Sequence, residues 1–223
     1  MLAPNILKRI TSFVILLASA FLLSIFASFC LYLSTKDSQL LYILGASCVF
    51  LYIVFIYFII KKWKKFANNA SGNTRSIIIN VIWLLFSVIL TIVFTLILKE
   101  PQHSNKDFTN YTANTLIFMF IFYVCFAPIV EETICRGLFL SMFFTKTNTK
   151  SEKIINIIGG SVVSAYISTA LHGYANLNSI IIIFINGIIA AFLYHKSNTI
   201  IFPIIFHVFI NILAWSGSII LMT

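Results

Sequence analysis

The sequence predicts an all-α fold, a polytopic membrane bundle of about 7–8 transmembrane helices. Hydrophobic residues make up 60% of the 223 residues, charged residues only 9%, and the mean hydropathy is +1.01, which is typical of a membrane protein. Apolar runs near the ~20 residues that a spanning helix needs lie at 10–33, 40–60, 77–98, 114–144, 154–171, 179–195 and 199–221. We therefore expect a single integral membrane domain over residues 1–223, with N-terminal helices at about 10–98 and a motif-bearing core at about 114–221.

The basic residues are distributed unequally between alternate loops, and this predicts the orientation of the chain. Three of the 15 Lys and Arg residues, Lys36, Lys99 and Lys106, lie in one set of loops, each directly followed by an acidic residue. The opposite set holds Lys8, Arg9, Lys61, Lys62, Lys64, Lys65, Arg75, Lys146, Lys150, Lys153 and Lys196. Because cytoplasmic loops carry an excess of basic residues, we expect a multi-pass protein of the cell membrane with a cytoplasmic N-terminus. These charges form no continuous basic face, which argues against nucleic-acid binding.

The segment 61–75, KKWKKFANNASGNTR, is a marked charge run. Its lysines alternate with Trp63 and Phe66, as in an interfacial helix that contacts anionic lipid. A topology signal with aromatic anchors at the membrane surface is the simpler interpretation.

The fourth apolar run carries three charged residues, Glu131, Glu132 and Arg136, in the string EETICRG. A charge at the bilayer centre costs on the order of 3 kcal/mol, so an intramembrane ionisable residue indicates a functional site. Glu132 and Arg136 are four residues apart and share a helix face, where they can form an ion pair. Glu131 is rotated by ~100° from Glu132 and is predicted to be the chemically available carboxylate. Pro128 lacks a backbone N–H and predicts a kink just before it.

More polar side chains lie in the last runs. His172 ends the fifth run, whereas His207 and Asn211, four residues apart, share a face of the last one. We expect these groups to converge with Glu131 in one buried pocket. At ~1.5 Å per residue, His172 falls nearer the outer face of the membrane than Glu131 does, so convergence requires tilt, a kink at Pro128 or a partly re-entrant fifth segment.

Such a set of groups suits hydrolysis of a carbonyl compound. Glu131 would take a proton from water while His and Asn donors stabilise the oxyanion. Alternatively, Glu131, His172 and His207 would hold zinc through one oxygen and two nitrogen ligands. Each residue also has a simpler interpretation: a lone His or Asn in a membrane helix often only bonds a neighbouring helix, and Glu132 with Arg136 is expected to be mainly structural. The four cysteines lack CxxC spacing and predict neither disulfides nor zinc thiolates.

These motifs resemble the CAAX protease and bacteriocin-processing family of intramembrane endopeptidases. The string EETICRG at 131–137 matches that family's EExxxR motif, and His207 with Asn211 in PIIFHVFIN matches its HxxxN motif. The middle motif departs from the pattern, because the family has a Phe four residues before its histidine and this chain has Ser168 there. The resemblance covers roughly residues 114–215.

The resemblance implies an intramembrane endopeptidase with an eight-helix type of core. Glu131 would activate water with help from His172, and His207 with Asn211 would form the oxyanion hole. Involvement of a metal is disputed for this family, whose members are still called metalloproteases. We favour a metal-independent mechanism because these four groups already fill every role, with zinc as the alternative. The expected substrate is a membrane-bound peptide or protein precursor.

The same resemblance assigns a supporting role to Glu132 and Arg136, which would brace the fourth helix. The Ser168 departure removes a packing or substrate-wall residue and favours an alternative function. In that alternative, the chain is a non-catalytic membrane immunity or regulatory protein that binds a toxin or receptor. A transporter is disfavoured, because the first three apolar runs offer almost no polar residues to line a path.

Overall fold

A computed structural model describes residues 4–34, 38–67, 77–98, 111–144, 149–172 and 176–220. These ranges contain helices and no strand: α1 (Pro4–Ser34), α2 (Ser38–Ala67), α3 (Ile77–Leu98), α4 (Ala113–Phe143), α5 (Lys150–Ala170), α6 (Leu177–Ser197) and α7 (Ile201–Ile220). By length and composition, α1 to α6 can each cross a membrane, and Ile201–Ser216 within α7 is a shorter apolar helix. The predicted polytopic all-α bundle is therefore confirmed.

The fourth helix, α4, is the central element of the bundle. It packs against α1, α2, α5, α6 and α7, while α3 contacts α6 and α7. Many large apolar side chains of α1, α2 and α3 remain exposed on the outside of the bundle. This is the expected pattern where hydrocarbon surrounds helices whose backbone hydrogen bonds are satisfied internally.

Side-chain caps define the ends of the later helices. Thr149 and Glu152 form a capping box at the start of α5, and Asn176 accepts a hydrogen bond from the Ser179 backbone N–H at the start of α6. The α6 helix ends at Asn198, whose φ of 55° lies in the left-handed region that terminates helices. These caps satisfy backbone groups that the helix itself cannot pair.

The lysine-rich run begins inside α2 and not in a loop, since α2 continues to Ala67. Trp63 is partly buried against the core, lies beside Gly137 and donates from Nε1 to the Tyr194 hydroxyl at 3.3 Å. The expected aromatic anchor is thus a packing residue, because the indole finds both apolar contacts and a hydrogen-bond acceptor inside the bundle. Residues 68–75 lie outside the described residues.

Helices α5 and α6 approach closely where Gly187 of α6 faces Ala165 of α5. A Cβ at position 187 would lie 2.9 Å from both the Cα and the Cβ of Ala165, and 3.2 Å from Nη2 of Arg136. Only a hydrogen fits there, so the glycine permits the close crossing that small residues allow between membrane helices.

We predict that Gly187→Ala destabilises the bundle by about 1–3 kcal/mol, the usual cost of overpacking. The matched control is Gly159→Ala in α5, where a Cβ would meet no atom of the described chain within 4 Å. Thermal unfolding of both variants in the same detergent checks this. Equal melting temperatures for the two variants would contradict the close crossing.

Candidate active site

The ion pair of Glu132 and Arg136 lies inside the bundle, and each side chain is only 1% exposed. Nη1 of Arg136 is 2.9 Å from Oε1 of Glu132, as their four-residue spacing predicts. Nη1 also donates to Oγ of Ser168 at 3.2 Å, and Nη2 donates to the backbone carbonyl of Gly187 at 3.2 Å. The guanidinium therefore joins α4 to α5 and α6.

Glu132 has a second partner that the sequence did not reveal. Nδ1 of His207 lies 2.8 Å from the same Oε1 atom that accepts from Arg136. A carboxylate can only accept, so Nδ1 of His207 is the donor. This bond fixes the orientation of the imidazole ring. Glu132 therefore positions His207 in addition to bracing α4, and it links α4 to α7.

The position of Asn211 follows from an irregularity in α4. The segment Phe120–Phe126 is π-helical, and the Ala127 N–H consequently bonds to the Phe122 carbonyl. The carbonyl of Tyr123 thereby loses its α-helical donor, and its π-helical donor is missing because residue 128 is proline. Nδ2 of Asn211 donates to that carbonyl at 2.9 Å. Pro128 and the π segment thus create an acceptor that anchors α7 to α4.

His172 follows the last turn of α5, and its ring is held by a local contact. Nδ1 lies 2.9 Å from the carbonyl oxygen of Ser168, one turn earlier. Nε2 lies 3.8 Å from Oε2 of Glu131. The structure thus brings His172 level with Glu131, despite the depth difference that counting residues along the spans suggested.

Ser168 replaces the phenylalanine of the family pattern, and it has a polar role that the sequence comparison missed. Its hydroxyl accepts from Arg136 and its carbonyl accepts from His172. The side chain is buried, and it lines the same cavity as His172. Ser168 therefore connects the ion pair of Glu132 and Arg136 to the imidazole of His172.

Glu131 differs from its neighbour Glu132 in its surroundings. Its side chain is 21% exposed, and its buried Oε2 atom has no hydrogen-bond partner among the described residues. One potential ligand atom from each of Glu131, His172 and His207 lies within 4.8 Å of the others. One oxygen and two nitrogen donors, with both imidazoles held from their Nδ1 side, fit a zinc ion as well as they fit a water molecule.

A cavity of about 410 Å³ adjoins these groups. The polar residues described above that line this cavity are Glu132, Arg136, Ser168, His172, His207 and Asn211. Glu131 is not part of this lining, and it lies beside it next to His172. Apolar side chains such as Ile92 of α3, Ile182 of α6 and Ile210 of α7 form the remaining walls. The cavity can therefore hold an apolar group next to the polar cluster.

The third helix contributes polar residues that the sequence reasoning discounted. Asn80, Ser87 and Thr91 are buried on α3, and Thr91 and Thr95 line the cavity. The expectation that the first three spans are almost free of polar groups at the site is therefore wrong for α3. Asn80, Ser87, Thr91 and Thr95 are spaced by seven, four and four residues, which places them on one face of α3. This spacing was the signal in the sequence that could have revealed a polar face.

The fold indicates a multi-pass membrane protein with a cluster of polar and charged side chains inside the bundle. Residues 113–213 match the family model described as Type II CAAX prenyl endopeptidase Rce1-like. The motif-bearing core therefore belongs to that family, and the resemblance to the CAAX protease and bacteriocin-processing family is confirmed. The match supports, at the level of the family, a CAAX-type intramembrane endopeptidase, which is a peptide hydrolase. No curated protein and no solved structure gives a significant match.

We predict that Arg136→Leu lowers the free energy of unfolding by about 3–5 kcal/mol, because it leaves the buried Glu132 carboxylate without its cation. Adding Glu132→Gln should recover part of the loss by removing that charge. Thermal unfolding in detergent measures both variants, with Lys150→Leu at the exposed start of α5 as a control for loss of a basic side chain. A double variant as unstable as Arg136→Leu alone would show that the unpaired carboxylate is not the cause.

Proposed function

We propose that the chain hydrolyses a peptide bond of a membrane-associated protein or peptide precursor by means of a glutamate-activated water. The observation that carries this proposal is Oε2 of Glu131, which is buried, accepts no hydrogen bond from the described residues and lies 3.8 Å from Nε2 of His172. Oε2 of Glu132 also lacks a hydrogen-bond partner among the described residues, but Oε1 of that residue is held by Arg136 and His207. Glu131 has no such anchoring bond among the described residues and lies beside His172, which supports a function that needs an available proton acceptor.

In the first step, a water held between Glu131 and His172 attacks the scissile carbonyl carbon. The 3.8 Å separation of Oε2 and Nε2 exceeds a direct hydrogen bond, and one water can bond to both atoms. Glu131 takes the proton of this water as the new carbon–oxygen bond forms. The proton then passes to the leaving amine nitrogen as the carbon–nitrogen bond breaks.

In the same step, His207 and Asn211 stabilise the oxyanion. His207 donates from Nδ1 to Glu132, so it presents a second N–H, at Nε2, to the substrate oxygen when it is the imidazolium, whose charge the Glu132 carboxylate balances. Asn211 uses one N–H for the Tyr123 carbonyl, which leaves the second N–H of the amide for the oxyanion. Donors held in place before the reaction stabilise developing charge most effectively.

Zinc remains the alternative to a bare water. Glu131, His172 and His207 would hold the ion, and a bound zinc would supply a Lewis acid and an activated water. We favour the metal-independent mechanism because Glu131 can accept the proton itself and two side chains carry N–H groups for the oxyanion.

For the orientation, we propose a cytoplasmic N-terminus in the cell membrane. The support is the concentration of Lys and Arg in one set of loops. The substrate would then be a membrane-bound peptide or protein that reaches the site within the bilayer.

We predict that Glu131→Gln abolishes cleavage without loss of folded protein, since no described partner depends on Oε2 of this carboxylate. Membrane and secreted peptides from cells with wild type or the variant, at matched protein levels, provide the measurement. Glu152→Gln, at the exposed capping box of α5, is the control and should cleave like wild type.

If the peptides are the same in cells with wild type and with Glu131→Gln, and the cell phenotype of the wild type persists in the variant, the proposed protease function is refuted. These results would instead support a non-catalytic immunity or regulatory protein that binds a toxin or receptor. The supporting observation for that alternative is Ser168, the departure from the family pattern.

Metal removal separates the two mechanisms. We expect that saturating 1,10-phenanthroline changes the cleavage rate by less than about twofold, because proton transfer relies on Glu131. Elemental analysis of the purified protein should find well under one zinc per chain. Loss of activity that zinc restores, with zinc binding lost in His172→Ala and His207→Ala, would establish the metal instead.

A further inference from the structure

A polar pair lies in the cavity wall away from the ion pair of Glu132 and Arg136. Oγ1 of Thr91, on α3, donates to Oδ1 of Asn186, on α6, at 2.9 Å. Both residues line the cavity, and Thr91 is buried. None of the roles assigned above uses either side chain.

The bond from Thr91 leaves the other end of the Asn186 amide available. With Oδ1 held by the hydroxyl, the NH₂ group is the remaining polar end, and it makes no hydrogen bond within the described part of the chain. Asn186 is half-buried, and its NH₂ group lies at the cavity between apolar walls such as Ile92 and Ile182. A molecule that fills the cavity would leave this donor desolvated and unpaired unless it accepts from it. The NH₂ group therefore indicates a binding role for an acceptor.

The backbone next to Asn186 is firmly held to the site. Gly187 receives the hydrogen bond from Arg136 and sits in the close crossing with Ala165. This places Asn186 at a constant position relative to His207 and Asn211, which line the same cavity. A molecule that occupies the cavity can thus contact the oxyanion donors and Asn186 at once.

We propose that the Asn186 NH₂ group binds a backbone carbonyl of the extended substrate segment next to the scissile bond, and that Thr91 orients the amide for this purpose. This rests on the proposed function. A helical substrate must unwind around the scissile peptide bond before water can attack that bond. The unwound segment then loses its internal hydrogen bonds. In an apolar cavity its bare carbonyls need a protein donor, and Asn186 supplies one.

The chemistry of the subsite favours a peptide over other acceptors. The amide is uncharged, so it matches a neutral carbonyl better than an anionic headgroup, which is usually bound by Arg or Lys. The volume of about 410 Å³ lies in the usual range of ligand pockets, ~300–1,000 Å³, and suits a short segment with apolar side chains. Because the contact is made to the main chain, it binds the segment whatever its side chains are.

The test uses the full chain in proteoliposomes with a pool of quenched fluorogenic peptides of randomised apolar sequence. A peptide cleaved by wild type and not by Glu131→Gln is then used for kinetics. Asn186→Asp keeps the acceptor for Thr91 and removes the donor, so kcat/KM should fall roughly ten- to a hundredfold, mostly through KM. Thr91→Val should cause a smaller fall, which Thr91→Ser restores.

Ser87→Ala is the matched control for Thr91→Val. Ser87 is another buried hydroxyl on α3, it bonds back to the Trp83 carbonyl of its own helix, and it is absent from the cavity lining. Its removal should leave KM unchanged. A KM that rises equally in Ser87→Ala and Thr91→Val would overturn the role of Thr91.

A second measurement changes the peptide as well as the protein. Peptides in which each amide other than the scissile one is replaced in turn by an (E)-alkene lack the carbonyl oxygen and N–H of that amide but keep the extended shape. One analogue should be cleaved by wild type with a kcat/KM that is lower than that of the parent peptide. The factor should equal the loss that Asn186→Asp shows with the parent peptide. For that analogue, Asn186→Asp should cause no further loss, as in a double-mutant cycle.

The outcomes separate the two proposals. Cleavage that persists equally in Glu131→Gln overturns the proposed function. Cleavage that depends on Glu131 but is the same in folded Asn186→Asp and wild type overturns only the carbonyl subsite. Independent, additive losses for every alkene analogue also overturn the subsite.

Discussion

The carboxylate of Glu132 is the contact on which the rest of the site depends. One oxygen accepts from both Arg136 and His207, and Arg136 continues the network to α5 and α6. A buried charge is tolerated only where it is paired and hydrogen-bonded, so these helices must meet around it. The network thereby fixes which faces of α4, α5, α6 and α7 enclose the cavity.

The irregular geometry of α4 contributes as much to the site as its charges do. Two π-helical segments interrupt the helix, and such segments are rare and frequently functional. The first leaves the Tyr123 carbonyl free for Asn211, and the second contains Arg136. Backbone groups that a regular helix would satisfy internally are thus used to attach the neighbouring helices.

Sequence reasoning predicted the parts of this structure that depend on periodicity and composition. The apolar runs predicted the helices, and the i,i+4 spacing predicted that Glu132 and Arg136 share a helix face. It did not reveal contacts between distant helices, such as Glu132 with His207 or Thr91 with Asn186, because these depend on tertiary packing. It also counted almost no polar residues in the first three apolar runs that could line a path, and so it missed the hydroxyls of α3 that line the cavity.

The two adjacent glutamates illustrate how one helix can separate structure from chemistry. Glu132 is 1% exposed, and its Oε1 accepts from both Arg136 and His207, whereas Glu131 is 21% exposed. In both residues Oε2 lacks a hydrogen-bond partner within the described ranges. A rotation of ~100° per residue is enough to give neighbours these different surroundings. A carboxylate oxygen that accepts two hydrogen bonds is held in place by its partners, whereas an oxygen without hydrogen bonds keeps its lone pairs available to a ligand. The network around Glu132 therefore positions the neighbouring helices, and the role proposed for Glu131 uses an oxygen to which no described residue donates.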